Sequence, residues 1–169
     1  MKKFELTNEF ITNMFGTKLF RIRALVEFGD VEAGELGGYV EKESNLGHDD
    51  NAWVYGDARV YDNARVYGDA WVYGDAWVYG NARVCGDALV CGDARVCGNG
   101  DYAYAHGFGS VNRTTTFFRL KDGGVGVRCG CFYGTLAQFR DKIRETHGET
   151  KKAQEYLMLA DLMKLRFEK

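Results

Sequence analysis

The sequence predicts a mainly β fold: a parallel β-helix built from hexapeptide repeats, with an N-terminal β-hairpin cap and a C-terminal β-hairpin followed by two helices. Residues 51–98 repeat one hexapeptide eight times, roughly Asp/Asn-Ala-x-Val-Tyr/Cys-Gly. Units this short bury nothing alone and gain a core only by stacking. The chain alternates apolar and charged residues before the repeat, and it shows helical periodicity near its C-terminus.

Each hexapeptide predicts a short strand followed by a corner. In the stretch Ala-x-Val-Tyr, alternation places Ala and Val on one face and the variable residue and Tyr or Cys on the other. Glycine followed by Asp or Asn then forms a tight corner, because these residues tolerate the left-handed backbone region. Asp62 stands where the repeat has glycine, and Asp also tolerates that region.

The run VYGDAWVYGDAWVYGNARVCGDALV resembles the hexapeptide-repeat proteins. This resemblance implies a left-handed β-helix whose members are usually homotrimers. The family holds acyltransferases, γ-class carbonic anhydrases and non-catalytic proteins, so the resemblance is specific for fold and weak for activity.

The segments before the repeat predict a cap and an irregular first coil. Alternation around Phe20 and Ile22 predicts a hairpin over roughly 9–25, which would cover the open first coil. Leu36–Val40 and Leu46 look like degenerate first hexapeptides. The expected boundaries are 1–35 for the N-terminal β cap, 36–106 for the β-helix and 107–169 for a C-terminal α+β module.

The C-terminal module is predicted to hold a hairpin and two helices. Strands are expected from Thr114 to Leu120 and from Val125 to Phe132, joined by a glycine turn. Thr135 is expected to cap a helix that ends at Gly148, with Gln138 completing a capping box. A last helix is expected over 150–167, and its wide apolar face suggests burial on two sides.

Sorting the outward positions by an eighteen-residue coil gives three chemically different faces. The first face is aromatic and apolar, so it should be covered by another subunit or by the C-terminal helices. The second intersperses arginines with a tryptophan, which suits a wet interface or a binding surface. A homotrimer around the first face is expected. The expected interface residues are Trp53, Tyr55, Trp71, Tyr73, Leu89 and Trp77.

Alternation along the C-terminal hairpin predicts a basic and aromatic outer side. Arginine forks for phosphate and aromatic planes for a base would suit a nucleotide or another anionic ligand. A solvated basic face with its Phe rings covered by the helices is the alternative. The candidate ligand-binding residues are Arg113, Thr115, Phe117, Arg119, Lys121, Arg128 and Phe132. The segment NRTTTFFRLKDGGVGVRCGCFYGTLAQF resembles a module that follows hexapeptide repeats in uncharacterised bacterial and prophage proteins.

Candidate catalytic residues are few. No histidine lies between 51 and 98, which argues against the three zinc ligands of a γ-carbonic anhydrase. An acyltransferase would use His48 or His106 as its base. No metal or cofactor is expected. The five cysteines are expected to be free thiols in a reducing compartment, with Cys129 and Cys131 packed in the core.

The formal charge of −2 argues against bulk nucleic-acid binding, and no apolar stretch is long enough for a membrane. We therefore expect a soluble cytosolic protein, and the resemblance to prophage proteins implies the cytosol of a bacterial host. The primary hypothesis is a non-enzymatic, oligomeric binding protein of phage or prophage type, such as a counter-defence protein that sequesters a host immune factor or a signalling nucleotide. The alternatives are a hexapeptide-repeat acyltransferase and a purely structural, self-assembling module.

Overall fold

The computed structural model describes residues 1–168. At the N-terminus an antiparallel hairpin is formed by Phe4–Thr12 (β1) and Lys18–Ala24 (β2), and Leu36–Val40 (β3) pairs antiparallel with β2. The hairpin begins about five residues earlier than its predicted start. Its register shifts between Leu6 and Phe10, and this irregularity interrupts the two-residue alternation that would have marked the strand.

Eight two-residue strands then recur every six residues and form a β-solenoid of three coils. They are Trp53–Val54 (β4), Arg59–Val60 (β5), Arg65–Val66 (β6), Trp71–Val72 (β7), Trp77–Val78 (β8), Arg83–Val84 (β9), Leu89–Val90 (β10) and Arg95–Val96 (β11). Strands eighteen residues apart pair in parallel, as in Trp53 with Trp71 and Trp71 with Leu89. This register confirms the sorting of the outward side chains into three faces.

The solenoid interior consists of small side chains that stack in columns. Every alanine and valine of the repeats, from Ala52 to Val96, is fully buried. The corners turn on glycines with φ between 60° and 68°, namely Gly56, Gly68, Gly74, Gly80, Gly86 and Gly92. Asp62 takes the same conformation, with φ of 57°. The repeat therefore builds the strands and corners that its sequence predicts.

Before the first full coil, the chain runs as the degenerate hexapeptides predicted. Strand β3 pairs in parallel with β5, and Leu46 bridges Val66 on the neighbouring side. A Cβ on Gly37 would lie 2.5 Å from the Val54 carbonyl oxygen, so only glycine lets the chain approach the first coil this closely. The second face of the solenoid thus continues into the N-terminal hairpin as one six-stranded sheet, in the order β1-β2-β3-β5-β8-β11.

The C-terminal module is a four-stranded antiparallel sheet followed by two helices. Its elements are Tyr102–Ala105 (β12), Thr115–Arg119 (β13), Val125–Cys129 (β14), Phe132–Thr135 (β15), Leu136–His147 (α1) and Lys151–Phe167 (α2). Short 3₁₀ turns lie at Glu43–Asn45, Asn99–Asp101 and Ser110–Asn112. Strand β12 falls inside the span expected for the β-helix, yet it pairs with β13 as an outer strand of this sheet.

This sheet closes the end of the solenoid. One face buries Phe118 in the solenoid core, and the other buries Phe117 against the helices. The Thr116 hydroxyl accepts a hydrogen bond from the Leu89 amide of the last coil at 3.0 Å, and Leu120 forms a bridge with Ala94. The sheet therefore covers both the apolar interior and part of the open strand edge.

The two helices begin and end as predicted. The Thr135 hydroxyl accepts from the Gln138 amide, and the Gln138 side-chain oxygen accepts from the Thr135 amide. Gly148 follows α1 with a positive φ. Helix α2 buries Ala153, Tyr156, Ala160, Met163 and Phe167. Its opposite side stays exposed at Met158, Leu162 and Leu165, so this chain covers only one of the two sides expected to be buried.

Candidate functional site

The register of the C-terminal sheet divides the seven candidate ligand residues between its two faces. Thr116 lies opposite Arg128, and Arg119 lies opposite Val125. Paired residues of an antiparallel sheet share a face, so Arg128 lies on the solenoid side and Arg119 on the helix side. The alternation predicted Arg119 and Arg128 on the same face, and this prediction is wrong. The pairing of the two strands differs by one residue from the predicted pairing, and a shift of one residue moves every side chain of a strand to the other face.

The helix-side candidates serve the packing of the module. Phe117 is fully buried and meets the Phe139 ring edge-on, and Phe132 also packs on Phe139 at 5.6 Å between centroids. Thr115 is buried and donates to the Cys129 sulfur. The helices cover the Phe117 ring fully, in agreement with the alternative interpretation of the hairpin. Phe132 is half-buried and, with Arg113, lines a smaller cavity of about 190 Å³ beside α1.

Arg119 and Lys121 also lie away from any shared site. The Arg119 guanidinium lies 3.7 Å from the Asp101 carboxylate and donates to the Phe167 carbonyl at 3.2 Å. It therefore ties α2 to the last coil. Lys121 is exposed in the turn, where its amide donates to the Asp93 carbonyl. Cys131, expected in the core, is exposed in the turn after β14.

The first face of the solenoid is covered at both ends by its own chain. Trp53 is fully buried against Phe4 and Phe28, with ring centroids at 6.4 and 5.3 Å. This corrects its assignment to a subunit interface, because no part of the ring remains for a partner. At the other end Cys91 is 3% exposed. Between these ends the face is open at Tyr55, Trp71, Tyr73 and Leu89, the other predicted interface residues of this face.

These four side chains form the floor of a cleft of about 750 Å³. One wall comes from the N-terminal cap at Gly29 and Asp30. The opposite wall comes from the C-terminal module, and its members are Arg113, Thr114, Arg128 and Gly130. The corner beside the floor carries Asn51, Asp69 and Asp87. The structure thus joins two sets that the sequence predicted separately, the aromatic face and two of the arginines predicted to bind a ligand.

The two arginines of the wall have positive charges that no carboxylate of the described residues neutralises. Across residues 1–168 neither Arg113 nor Arg128 forms a salt bridge, and the buried Arg128 Nε has no hydrogen-bond partner. The Arg128 guanidinium carbon lies 5.8 Å from the centre of the Tyr73 ring. Arg113 Nε makes one long bond, 3.4 Å, to the Ser110 carbonyl. A guanidinium without a carboxylate partner is a ready site for an anion.

The floor itself is held in neutral form. Burial, aided by the neighbouring Cys91, raises the pKa of Tyr73 far above its ordinary value, and burial also raises the pKa of the Cys91 thiol. Both groups therefore stay protonated at neutral pH. We call the corner formed by Asn51, Asp69 and Asp87 the acidic corner. One of its two carboxylates, that of Asp69, already accepts a hydrogen bond from the Asn51 side chain at 3.0 Å.

The acidic corner was missed by the sequence analysis although a signal for it was present. Asn51, Asp69 and Asp87 occupy the same hexapeptide position eighteen residues apart. The eighteen-residue period that sorts the outward positions into faces also sorts the corners, and it places these three side chains beside the first face. Asp30 has no such signal, because the N-terminal cap does not follow the repeat.

His48 is committed to the packing of the N-terminal cap. Its Nδ1 accepts from the Lys3 amide at 3.1 Å, and its Nε2 lies 2.9 Å from the Glu43 carboxylate. The ring also stacks on Phe4 at 4.4 Å. Since Nδ1 is an acceptor, Nε2 carries the proton to Glu43, and neither nitrogen remains available to act as a base.

His106 is exposed near the cleft. Its Nδ1 lies 2.7 Å from the Thr114 hydroxyl and 3.9 Å from the Asp87 carboxylate. In a triad of hydroxyl, imidazole and carboxylate the two partners bind opposite ring nitrogens. Here both partners face the same nitrogen, so the three residues do not form that arrangement.

Trp77, the remaining predicted interface residue, lies on the second face. The guanidinium carbons of Arg59 and Arg95 lie 5.0 and 4.1 Å from the centre of its ring. The cation–π stack expected for this face is therefore present in the structure.

Within residues 1–168 no group of three His, Cys, Asp or Glu side chains is arranged to hold a metal ion. None of the helices in that range has the length and apolar character needed to span a bilayer. All five cysteines are free.

Comparison with known families agrees with the repeat geometry. The family model of the YdcK beta solenoid repeat matches residues 58–74 and 76–92. The chain is a β-solenoid repeat protein. The matched segments run from the second strand of the first coil into the third coil of the solenoid, so they include part of the cleft floor and none of the two caps. No curated protein matches the chain.

Proposed function

We propose that the protein is a non-enzymatic binding protein whose first-face cleft takes an anionic ligand with a planar ring, of the nucleotide class. The proposal rests mainly on two guanidinium groups that have no carboxylate partner in the described chain, those of Arg113 and Arg128, at one end of an aromatic floor. Aromatic planes stack bases, and arginine forks bind phosphate. A pocket of this kind, largely apolar with a few converging polar groups, is typical of small-molecule sites.

The polarity of the cleft gives the ligand a direction. Its phosphate would lie against Arg113 and Arg128, whose positive charges are not neutralised by the chain. Its ring would lie over Trp71 and Tyr73, where stacking contributes about 1–3 kcal/mol per base. The carboxylate of Asp87, on the acidic corner, would accept from ring amino groups or ribose hydroxyls. In the reverse orientation the phosphate would lie against the opposite wall, where the Asp30 carboxylate would repel it.

Binding is favoured over chemistry by the state of the nearby groups. Tyr73 and Cys91 both have raised pKa values because they are buried, so at neutral pH neither supplies an anionic nucleophile or base. His48 lies outside the cleft lining, and both of its ring nitrogens are engaged. These observations argue against an acyltransferase that uses His48. They leave His106, exposed beside the cleft, as the candidate base of that alternative.

The finer parts of the proposal rest on the resemblances in the sequence. We propose a left-handed solenoid of hexapeptide type that acts as a homotrimer in the cytosol of a bacterial host. In a prophage setting, the cleft would sequester a host signalling nucleotide and so counter a host defence. Coverage of Trp53 by the chain's own cap leaves a shorter apolar surface on the first face than the sequence predicted. Because the ligand cleft occupies the rest of that face, a trimer with an open cleft would assemble through another surface.

Isothermal titration calorimetry with linear and cyclic nucleotides tests the proposal. We expect one ligand to bind the wild type and Arg128→Ala to weaken it at least about tenfold, which corresponds to about 1.4 kcal/mol. Arg119→Ala is the matched control, because the same sheet carries Arg119 on the helix side. Thermal unfolding of both variants shows that each is folded. Absence of heat with every nucleotide, or equal weakening by the two variants, would refute the proposal.

A further inference from the structure

The second face carries a row in which arginines and aromatic rings alternate along the solenoid axis. The row crosses five neighbouring strands of the six-stranded sheet, from β2 to β11. Strand pairing sets each member beside the next. We call it the arginine ladder, and its members in order are Arg21, Tyr39, Arg59, Trp77 and Arg95.

The arginines of the ladder are held by rings and not by carboxylates. The Arg21 guanidinium carbon lies 5.0 Å from the centre of the Tyr39 ring, and Arg59 and Arg95 lie on Trp77. Within the described part of the chain, residues 1–168, none of the three forms a salt bridge. Three cations are therefore fixed in position with their charge uncompensated.

In the described range of the chain, the carboxylates near this face form no salt bridge with an arginine of the ladder. One of them, Glu9, is linked to Arg21 through the Tyr39 hydroxyl, which accepts from Arg21 at 2.9 Å. The Glu41 carboxylate accepts from the Asp62 amide. Glu9 lies within hydrogen-bonding distance, 3.5 Å, of the Tyr39 hydroxyl. One guanidinium nitrogen of Arg95 donates to the carbonyls of Ala94 and Asp75, both at 2.9 Å. Its other N–H groups remain available to a ligand.

The spacing of the ladder selects among extended polymers. Neighbouring strands lie about 4.8 Å apart, so arginines on every second strand recur at about 9.6 Å. A polyproline II helix rises about 3.1 Å per residue with three residues per turn, so every third residue returns to the same side after about 9.3 Å. A β-strand turns every third residue to its opposite side. Acidic residues at every third position of a polyproline II segment therefore match the arginines in spacing and direction.

We propose that the arginine ladder binds an extended segment of a partner protein in the polyproline II conformation, with an acidic residue at every third position. The segment lies along the solenoid axis, and its carboxylates meet Arg21, Arg59 and Arg95. Its intervening residues pack on the half-buried rings of Trp77 and Tyr79, which rest on the buried Tyr61. Polyproline II segments dock on aromatic grooves in this way, at low cost in conformational entropy. This surface is separate from the first-face cleft.

Two synthetic peptides of identical composition test the spacing. One repeats Glu-Pro-Pro four times, and the other holds the same four glutamates together at one end. By calorimetry at low salt, we expect the repeating peptide to bind the full chain at least about tenfold more tightly. A tenfold difference corresponds to about 1.4 kcal/mol. Equal affinity of the two peptides, or no binding of the repeating one, would overturn the proposal.

Two variants locate the site. Arg59→Gln, in the middle of the ladder, should weaken the repeating peptide about tenfold, and Arg95→Gln at its end gives an independent second measurement. Arg65→Gln is the matched control, because Arg65 also rests near a tyrosine ring, at 5.8 Å from Tyr67, but lies on the third face. Equal weakening by Arg65→Gln would show bulk charge attraction and would overturn the proposal. Tighter binding of a single-stranded oligothymidylate than of the peptide would overturn it as well.

Discussion

The burial of Trp53 under the N-terminal cap gives the sharpest test of how the first face is covered. Trp53 and Trp71 are paired neighbours on the first face, yet only Trp53 is fully buried. Replacing a buried tryptophan by alanine costs about 3–5 kcal/mol. The indole Nε1 of Trp53 is buried without a hydrogen-bond partner, a defect that costs about 1–3 kcal/mol and disappears on truncation. We therefore expect Trp53→Ala to cost about 3 kcal/mol.

Trp71→Ala should cost about half as much, roughly 1.5 kcal/mol, because its ring is only partly buried in the single chain. In a domain of this size each 1 kcal/mol lowers the melting temperature by about 2–4 °C. The expected shifts are thus about 6–12 °C for Trp53→Ala and about 3–6 °C for Trp71→Ala.

Urea unfolding followed by circular dichroism measures both costs without relying on tryptophan fluorescence. It should be repeated at two protein concentrations, since stability that depends on association rises with concentration. A cost for Trp71→Ala equal to that for Trp53→Ala would refute the reasoning. That result, together with a concentration dependence, would mean that a second subunit covers Trp71, as expected for a homotrimer around the first face.

Three further predictions concern the caps and corners. Thr116→Val should cost about 1–2 kcal/mol in urea unfolding, because it leaves the partly buried Leu89 amide of the last coil unpaired, while Thr115→Val, which loses only a bond to sulfur, should cost less than about 1 kcal/mol. Gly80→Ala should cost more than Gly56→Ala, since its Cβ would lie 2.5 Å from a backbone carbonyl oxygen of the next coil, against 3.7 Å for Gly56; equal costs would contradict the stacking. Burial lowers the pKa of Lys3 from 10.5 to about 8, so between these values the unfolded chain binds more protons at this site, and from pH 8 to 9.5 the stability of the wild type should rise by about 1.5 kcal/mol relative to that of Lys3→Met; a constant difference between the two proteins would refute it.

The repeat was predictable because its register is set by the chain itself. A constant period of six residues places each valine inward and each variable residue outward, and eighteen residues return the chain to the same face. The helix boundaries were predictable for a similar local reason. Thr135 with Gln138, and then Gly148, are capping signals that act within one turn.

The candidate site was only partly predictable because its parts meet through contacts distant in sequence. Alternation gives the face of each residue within one strand but not the register between two strands, and the pairing of Thr116 with Arg128 reverses the predicted grouping. Coverage of Trp53 depends on Phe4 and Phe28, which lie outside the repeat. The acidic side chains were predictable at the corner, where Asp69 and Asp87 follow the period, and unpredictable at Asp30 in the cap.

The first-face cleft has walls that belong to opposite caps, Asp30 on one side and Arg128 on the other, and coils of the solenoid separate them. The number of coils between the two caps therefore sets the length of the cleft. Insertion of eighteen residues of repeat would move the walls apart by about 4.8 Å and add one more rung to the floor, while each cap would keep its own contacts. Relatives that differ only in the number of hexapeptides would then hold ligands of different length between the same two ends.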